Sequence, residues 1–393
     1  MTDPAHRLLP IGTTDRIEVL DILRGIAILG ILPVNMLFFA SPLEWVADPP
    51  WRGVRDSGAL FLIHFFFSAK FYTIFSLLFG VGIAMQVERL QEGSVSVINR
   101  RLVVLFVIGY LHIGLFWYGD ILHWYAILGL LLLRFRTKDA EDLVPPAIAF
   151  LGLPVAIVVI SLAMASFNSP SSATPAWMTD SSVAAYQSGD LVLIASQRWK
   201  DYLVLESGSF VYLPHVFSMF LFGMALGKIG AFREVDRHRN SFRKALSWGL
   251  IPGVPINLAW VVGSFWADPN TMTPLTALVT SLRFLGGFAF ASVYVSAIVL
   301  IHRATESSRG WIAVANVGRT SLSNYILQSV VCTTIYYGYG FGLFGTRGPA
   351  FGLSLAFGVL AFQMLASFLW LKRFQQGPIE WVWRKVAYGG QGS

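Results

Sequence analysis

His112, Trp117, Asp120, His123 and Tyr125 are among the side chains able to bond or carry charge within one largely apolar stretch. A histidine oriented by a carboxylate is the arrangement of a general base, and His112 and Asp120 are the pair that could build it. Their spacing of eight residues is about two helical turns, nearly the same face, yet too long for contact along one helix. Any pairing therefore needs another route. Two plainer roles compete: a histidine satisfied within a core, and an aspartate capping the helix that follows it. His123 and His215 are weaker candidates.

The stretch that positions these groups runs from Arg101 to Arg136. It holds two apolar runs, about 102–118 and 121–133, joined by a two-residue corner at Gly119-Asp120. Each is long enough to cross most or all of a bilayer as a helix. Ionisable groups at that depth are costly and need a reason.

The whole chain agrees with a membrane setting. Of 393 residues, 55% are hydrophobic and 13% charged, and mean hydropathy is +0.61; soluble domains carry roughly 25% charged residues. Cys332 is the only cysteine, which excludes an internal disulfide and a cysteine zinc site. The net charge of +7 is distributed by topology and does not point to nucleic acid.

The expected fold class is all-α, a single polytopic transmembrane domain over 1–393 with about ten spans. Residues 1–17 form a cytoplasmic N-terminus and 18–166 carry helices one to five. An extracytoplasmic loop covers 167–208, with short helical stretches near 183–202. Helices six to ten follow in 209–371, and 372–393 is an interfacial tail. The second apolar segment, 58–86, is too long for one perpendicular span, so it is tilted, kinked or broken near Ser68–Lys70. Proline at 145, 146 and 154 marks a helix start and a kink. Of the 29 Lys and Arg, 20 fall on the terminal side of this scheme and 5 on the other, with 4 in or at the ends of spans. By the positive-inside rule both termini are cytoplasmic.

Arg24 is three residues after Asp21, so an ion pair within one helix competes with an anion-holding role. Asn35, eleven residues on, shares roughly that face; buried asparagines commonly bridge helices. His64 and Lys70 are six apart and point differently on a regular helix, and a lysine at that depth must pair or line a wet cavity. Arg283 can reach an interface, and Arg319 is ordinary for a cytoplasmic helix start. The common hydrolase, nucleotide and zinc signatures are absent, and no cluster of metal ligands is evident.

Several blocks, in order along the chain, resemble the YeiB family of bacterial membrane proteins, a domain of unknown function: LDILRGIAILGILPVN (20–35), KFYTIFSLLFGVG (70–82), RRLVVLFVIGYLH (100–112), WYGDILHWYAILG (117–129), VGRTSLSNYILQS (317–329) and GPIEWVWRKVAYG (377–389). That family is similar to transmembrane acyltransferases, the heparan N-acetyltransferase and polysaccharide O-acetyltransferase group, mainly through L-D-x-x-R-G-I-A in the first helix. The polysaccharide enzymes carry histidine where Asn35 stands, so His112 or His64 would have to replace that base.

The resemblance implies acyl transfer from a cytoplasmic acyl-CoA, a co-substrate rather than a bound cofactor, to a glycan, lipid or small-molecule acceptor. His112 and Asp120 would be catalytic. Arg24, Asn35, His64, Lys70, Arg283, Arg319 and Asn324 would bind substrate. Membrane lipids are expected partners, a homodimer is allowed, and the bacterial inner membrane is the expected location. A transporter or flippase for an anionic or lipid-like solute remains open, as does a non-catalytic partner or sensor; the two halves show no convincing repeat.

Overall fold

The computed structural model describes residues 16–89, 95–165, 176–268, 271–305 and 310–387. The N-terminal segment 1–15, residues 166–175 (the last residue of the expected helices one to five and the first part of the expected loop) and the tip 388–393 lie outside them. All regular elements among the described residues are helical.

The first helix, α1 (Glu18–Ala40), opens on Glu18 and Asp21, which complement the helix dipole. A short α2 (Leu43–Ala47) and then α3 (Val54–Leu62) follow, and α3 passes through a π turn at Ile63–Phe67 into α4 (Phe71–Arg89). The break expected near Ser68–Lys70 is present: Ser68 is extended and Ala69 has φ +65°. A left-handed alanine costs about 1–2 kcal/mol. Close packing holds it there, since a Cβ on Gly287 would lie 2.8 Å from the Ala69 Cβ and carbonyl oxygen.

The hairpin comprises α5 (Val95–Leu115) and α6 (Leu122–Leu132), extended by a 3-10 turn to Phe135. Its corner is longer than the two residues expected, because the chain leaves helical geometry between Leu115 and Leu122. Next come α7 (Ala140–Ala165), α8 (Ala176–Gln187), α9 (Leu191–Ser207) and α10 (Ser209–Lys228). The fifth expected span begins at Ala140, ahead of Pro145 and Pro146, which lie inside the helix. The chain continues with α11 (Val235–Ser264), α12 (Pro274–Ala304), α13 (Gly310–Arg319), α14 (Ser321–Tyr336), α15 (Pro349–Leu371) and α16 (Pro378–Ala387).

Among the described residues, eight helices are long and apolar enough to cross a membrane. At the other two expected spans stand shorter helices: Leu122–Phe135, and α14, cut from α13 at Thr320. Small residues set the closest contacts, as in membrane bundles generally. A Cβ on Gly318 would lie 1.8 Å from the Asp21 carbonyl oxygen, joining α1 to α13; one on Gly223 would lie 2.0 Å from that of Leu77, joining α4 to α10.

The tail is docked rather than merely interfacial. Glu380 of α16 accepts hydrogen bonds from the Leu322 and Ser323 amides and from the Ser323 hydroxyl, capping α14. Trp383 donates to the Arg101 carbonyl at 2.9 Å, and the Arg101 guanidinium sits 4.5 Å from the Trp383 ring centre. Replacing Glu380 by alanine strands buried donors, at a cost on the order of 2–3 kcal/mol. Glu380→Ala protein in detergent should melt several degrees lower and lose protease resistance at α16 first; an unchanged melting curve would contradict the latch.

Candidate functional site

The route between His112 and Asp120 is the turn itself. The chain doubles back after Leu115, and His112 Nδ1 lies 2.9 Å from Asp120 Oδ2, both fully buried. The other Asp120 oxygen accepts the His123 amide at 3.1 Å and faces His123 Nδ1 at 3.0 Å. Asp120 thus caps α6 and orients two imidazoles at once. An ionised carboxylate only accepts hydrogen bonds, so both histidines donate to Asp120 from Nδ1, and a neutral His112 presents a bare Nε2.

Each Nε2 has a partner. His112 Nε2 lies 2.7 Å from the hydroxyl of Ser329 on α14. His123 Nε2 lies 3.4 Å from the Tyr202 hydroxyl and 3.5 Å from Glu206 Oε1, both on α9. Glu206 also accepts from Trp124 Nε1 at 2.7 Å. A continuous polar chain, Ser329–His112–Asp120–His123–Glu206, therefore crosses four helices. Gly109 admits it: a Cβ there would lie 2.6 Å from the His123 amide and 2.8 Å from Asp120 Oδ1. Tyr325 and Trp117 flank the His112 ring, with centres 5.1 and 6.4 Å away. The Trp117 indole N–H is buried without a partner among the described residues.

The sequence pointed to His112 and Asp120; it did not single out Ser329 or Glu206, and it underweighted His123. The remaining candidates divide among three places. Lys70, His64 and Arg283 gather at the α3–α4 break. There the Lys70 ammonium is fully buried, donates to the His64 carbonyl at 2.8 Å and sits 4.6 Å from the Trp260 ring centre. The π turn brings His64 and Lys70 together although regular helical spacing would not. Arg24 pairs with Asp21 at 3.0 Å, the simpler of its two expected roles, and Arg319 donates to the Gln375 carbonyl at 3.3 Å. Asn324 bonds Thr320 and Ser367 and its carbonyl accepts from Gln363, so it braces the α13–α14 break. Asn35 is half-buried. Among the described residues no group of three or more His, Cys, Asp and Glu is arranged to hold a metal.

Outside the spans, α8 and α9 cover the hairpin. Arg198 donates to the Gly114 carbonyl, and Asp201 accepts from Tyr186 at 2.7 Å and Gln197 at 2.8 Å. Burial pushes the Asp201 carboxyl up to about 6, against the opposing pull of those hydrogen bonds.

Among the described residues, eight long apolar helices, two shorter helices and a buried Ser–His–Asp chain define a polytopic helical membrane protein with a polar core. Residues 226–390 match the family model described as "Protein of unknown function (DUF418)". The chain is 33% identical to "Uncharacterized protein YxaH" of Bacillus subtilis (strain 168), over 97% of this chain and 96% of that one. It is 30% identical to "Uncharacterized protein YeiB" of Escherichia coli (strain K12), over 96% and 98%. It belongs to this YeiB family of bacterial membrane proteins.

The Asp201 shift makes the cap pH-dependent. A carboxyl raised in the folded state stabilises fully below its ordinary value near 4, and that contribution is lost as pH rises through about 6. The full effect is on the order of 2–3 kcal/mol. Amides of α9 should therefore exchange more slowly at pH 4.5 than at pH 7.5, after correction for intrinsic rates. Asp201→Asn should remove the difference; a pH-independent native cap would contradict the assignment.

Proposed function

We propose that this protein is a membrane acyltransferase in which Ser329 is the acyl-accepting nucleophile, His112 its general base and Asp120 the group that orients His112. The observation carrying this reading is the hydrogen-bond chain from the Ser329 hydroxyl through His112 to Asp120, which has the contact order of a Ser–His–Asp relay. The donor class comes from the resemblance of the first helix to acyl-CoA-dependent membrane enzymes.

The steps balance with two substrates. Ser329 Oγ attacks the thioester carbonyl, His112 Nε2 takes the hydroxyl proton, and the C–S bond breaks. The proton leaves with the thiolate as free thiol. A hydroxyl or amine acceptor then attacks the serine ester, giving its proton through His112 to Ser329 as the ester C–O bond breaks. The unpartnered Trp117 N–H beside His112 is a donor available to the developing negative charge. General-base assistance is worth about 10²–10⁴-fold, so positioning must supply much of the rest. A serine ester also separates donor and acceptor in time, which suits a donor on the cytoplasmic side of the bacterial inner membrane and an acceptor on the other.

A second reading, proton-linked transport, is favoured by one feature. The chain continues beyond Asp120 through His123 to Glu206, whose side chain is 14% exposed, giving a line of titratable groups from the cap into the bundle.

The discriminating experiment incubates purified protein with radiolabelled acetyl-CoA and reads intact mass and label after quenching. The expected result is one acetyl group on Ser329, absent in Ser329→Ala and reduced at least a hundredfold in rate in His112→Ala. Absence of label on well-folded wild-type protein, or label that survives Ser329→Ala, would reject the nucleophile.

A further inference from the structure

We propose that the α3–α4 break, walled by α11 and α12, binds a phosphate-type oxyanion at the headgroup level of the membrane, on the side opposite the basic loops. The inference is independent of the acyl-transfer reading and stands on a charge left without a counterion.

Lys70 is fully buried, and of its three donors one goes to the His64 carbonyl. Its ammonium also rests over the Trp260 ring at 4.6 Å and more loosely over Phe290 at 5.7 Å. A carbonyl dipole and ring faces attract a cation without neutralising it. Arg283 on α12 is exposed and lies one turn before Gly287, where a Cβ would be 2.8 Å from Ala69, the neighbour of Lys70. Among the described residues, neither cation has an acidic partner within ion-pair distance. Two like charges therefore share one place in an apolar bundle, where even a single lysine costs about 2.5–3.5 kcal/mol. The Ser68 hydroxyl, 3.2 Å from His64 Nδ1, lies in the same break. The first turn of α4 adds the positive end of a 19-residue helix.

Depth selects the ligand. Arg303 pairs with Asp236 at 2.6 Å and Arg233 with Glu88 at 2.9 Å, both exposed, at the basic end of the bundle. Arg283 precedes Arg303 by twenty residues on the same helix, about 30 Å along its axis. The Lys70 ammonium rests against Phe290, thirteen residues before Arg303, about 20 Å along that axis. Arg283 thus sits about one hydrocarbon thickness, roughly 30 Å, from the basic surface, with the Lys70 ammonium on its inner side. Arg283 stands at the far edge of the apolar core, level with lipid phosphates. A buried ammonium supplying point charge and an exposed guanidinium supplying a fork of donors are complementary ways to hold such an oxyanion. The phosphate could belong to a lipid headgroup or to a soluble phosphorylated solute, and the probes below separate the two.

Purified protein in non-ionic detergent is titrated calorimetrically with short-chain phosphatidylglycerol, with the matching diacylglycerol, and with inorganic phosphate. Lys70→Gln and Arg283→Gln are measured alongside. The expected result is saturable binding of phosphatidylglycerol, weakened at least tenfold in each variant, with no binding of diacylglycerol. Parallel binding of inorganic phosphate, lost in the same variants, would support the site and assign it to a soluble source. Should Lys70→Gln not fold, the exposed Arg283→Gln variant decides alone. Failure of both phosphate probes to bind, equal binding of diacylglycerol, or unchanged affinity in the well-folded variants would overturn the proposal.

Discussion

Everything in the polar core depends on one carboxylate answering to two imidazoles. Asp120 bonds His112 through one oxygen and His123 through the other, and caps α6 with the second. Buried charge in a bilayer is tolerated when its lone pairs are satisfied, and here they are satisfied by groups that are thereby fixed in tautomer. The constraint travels outward. Gly109 must stay small for α5 to approach the turn, Ser329 must face His112 from α14, and α9 must bring Glu206 to His123. The Glu380 latch at the start of α14 and the α8–α9 cap hold the two ends of that arrangement.

Much of this was legible before the fold was known. Composition alone placed the chain in a membrane, the length of the second apolar segment called for a tilt, a kink or a break near Ser68–Lys70, and the hairpin polar groups marked the core. His112 and Asp120 were paired by type, though ideal helical spacing argued against contact. The turn supplied it, because Leu115–Leu122 is longer and less regular than a two-residue corner. Ser329 was out of reach for a different reason: it lies 217 residues from His112, and no periodicity links positions on helices whose packing partners are unknown. It does end a block that carries the family resemblance. His123 was a missed local signal, since the third residue after a capping aspartate faces that cap.

Two other expectations show how irregular backbone redirects side chains. His64 and Lys70 diverge on a regular helix, yet the π turn and left-handed Ala69 carry the lysine back to the His64 carbonyl. Asn324 was grouped with substrate-binding residues through its motif, and the structure gives it the work of bracing a helix break beside Thr320 and Ser367. The polar groups of this bundle accordingly fall into three kinds: those that hold breaks together, those that form the relay, and the cations at Lys70 and Arg283 that lack an anionic partner among the described residues.

The most direct test of the shared carboxylate is the tautomeric state of its two histidines. Solid-state nitrogen-15 spectra of histidine-labelled protein in lipid, assigned with His112→Gln and His123→Gln, report which ring nitrogen bears the proton. At neutral pH, His112 should carry it on Nδ1 with Nε2 bare toward Ser329, and Asp120→Asn should scramble that preference. A His112 protonated on Nε2 in the native protein would contradict the relay, and with it the reading of Ser329 as an activated hydroxyl.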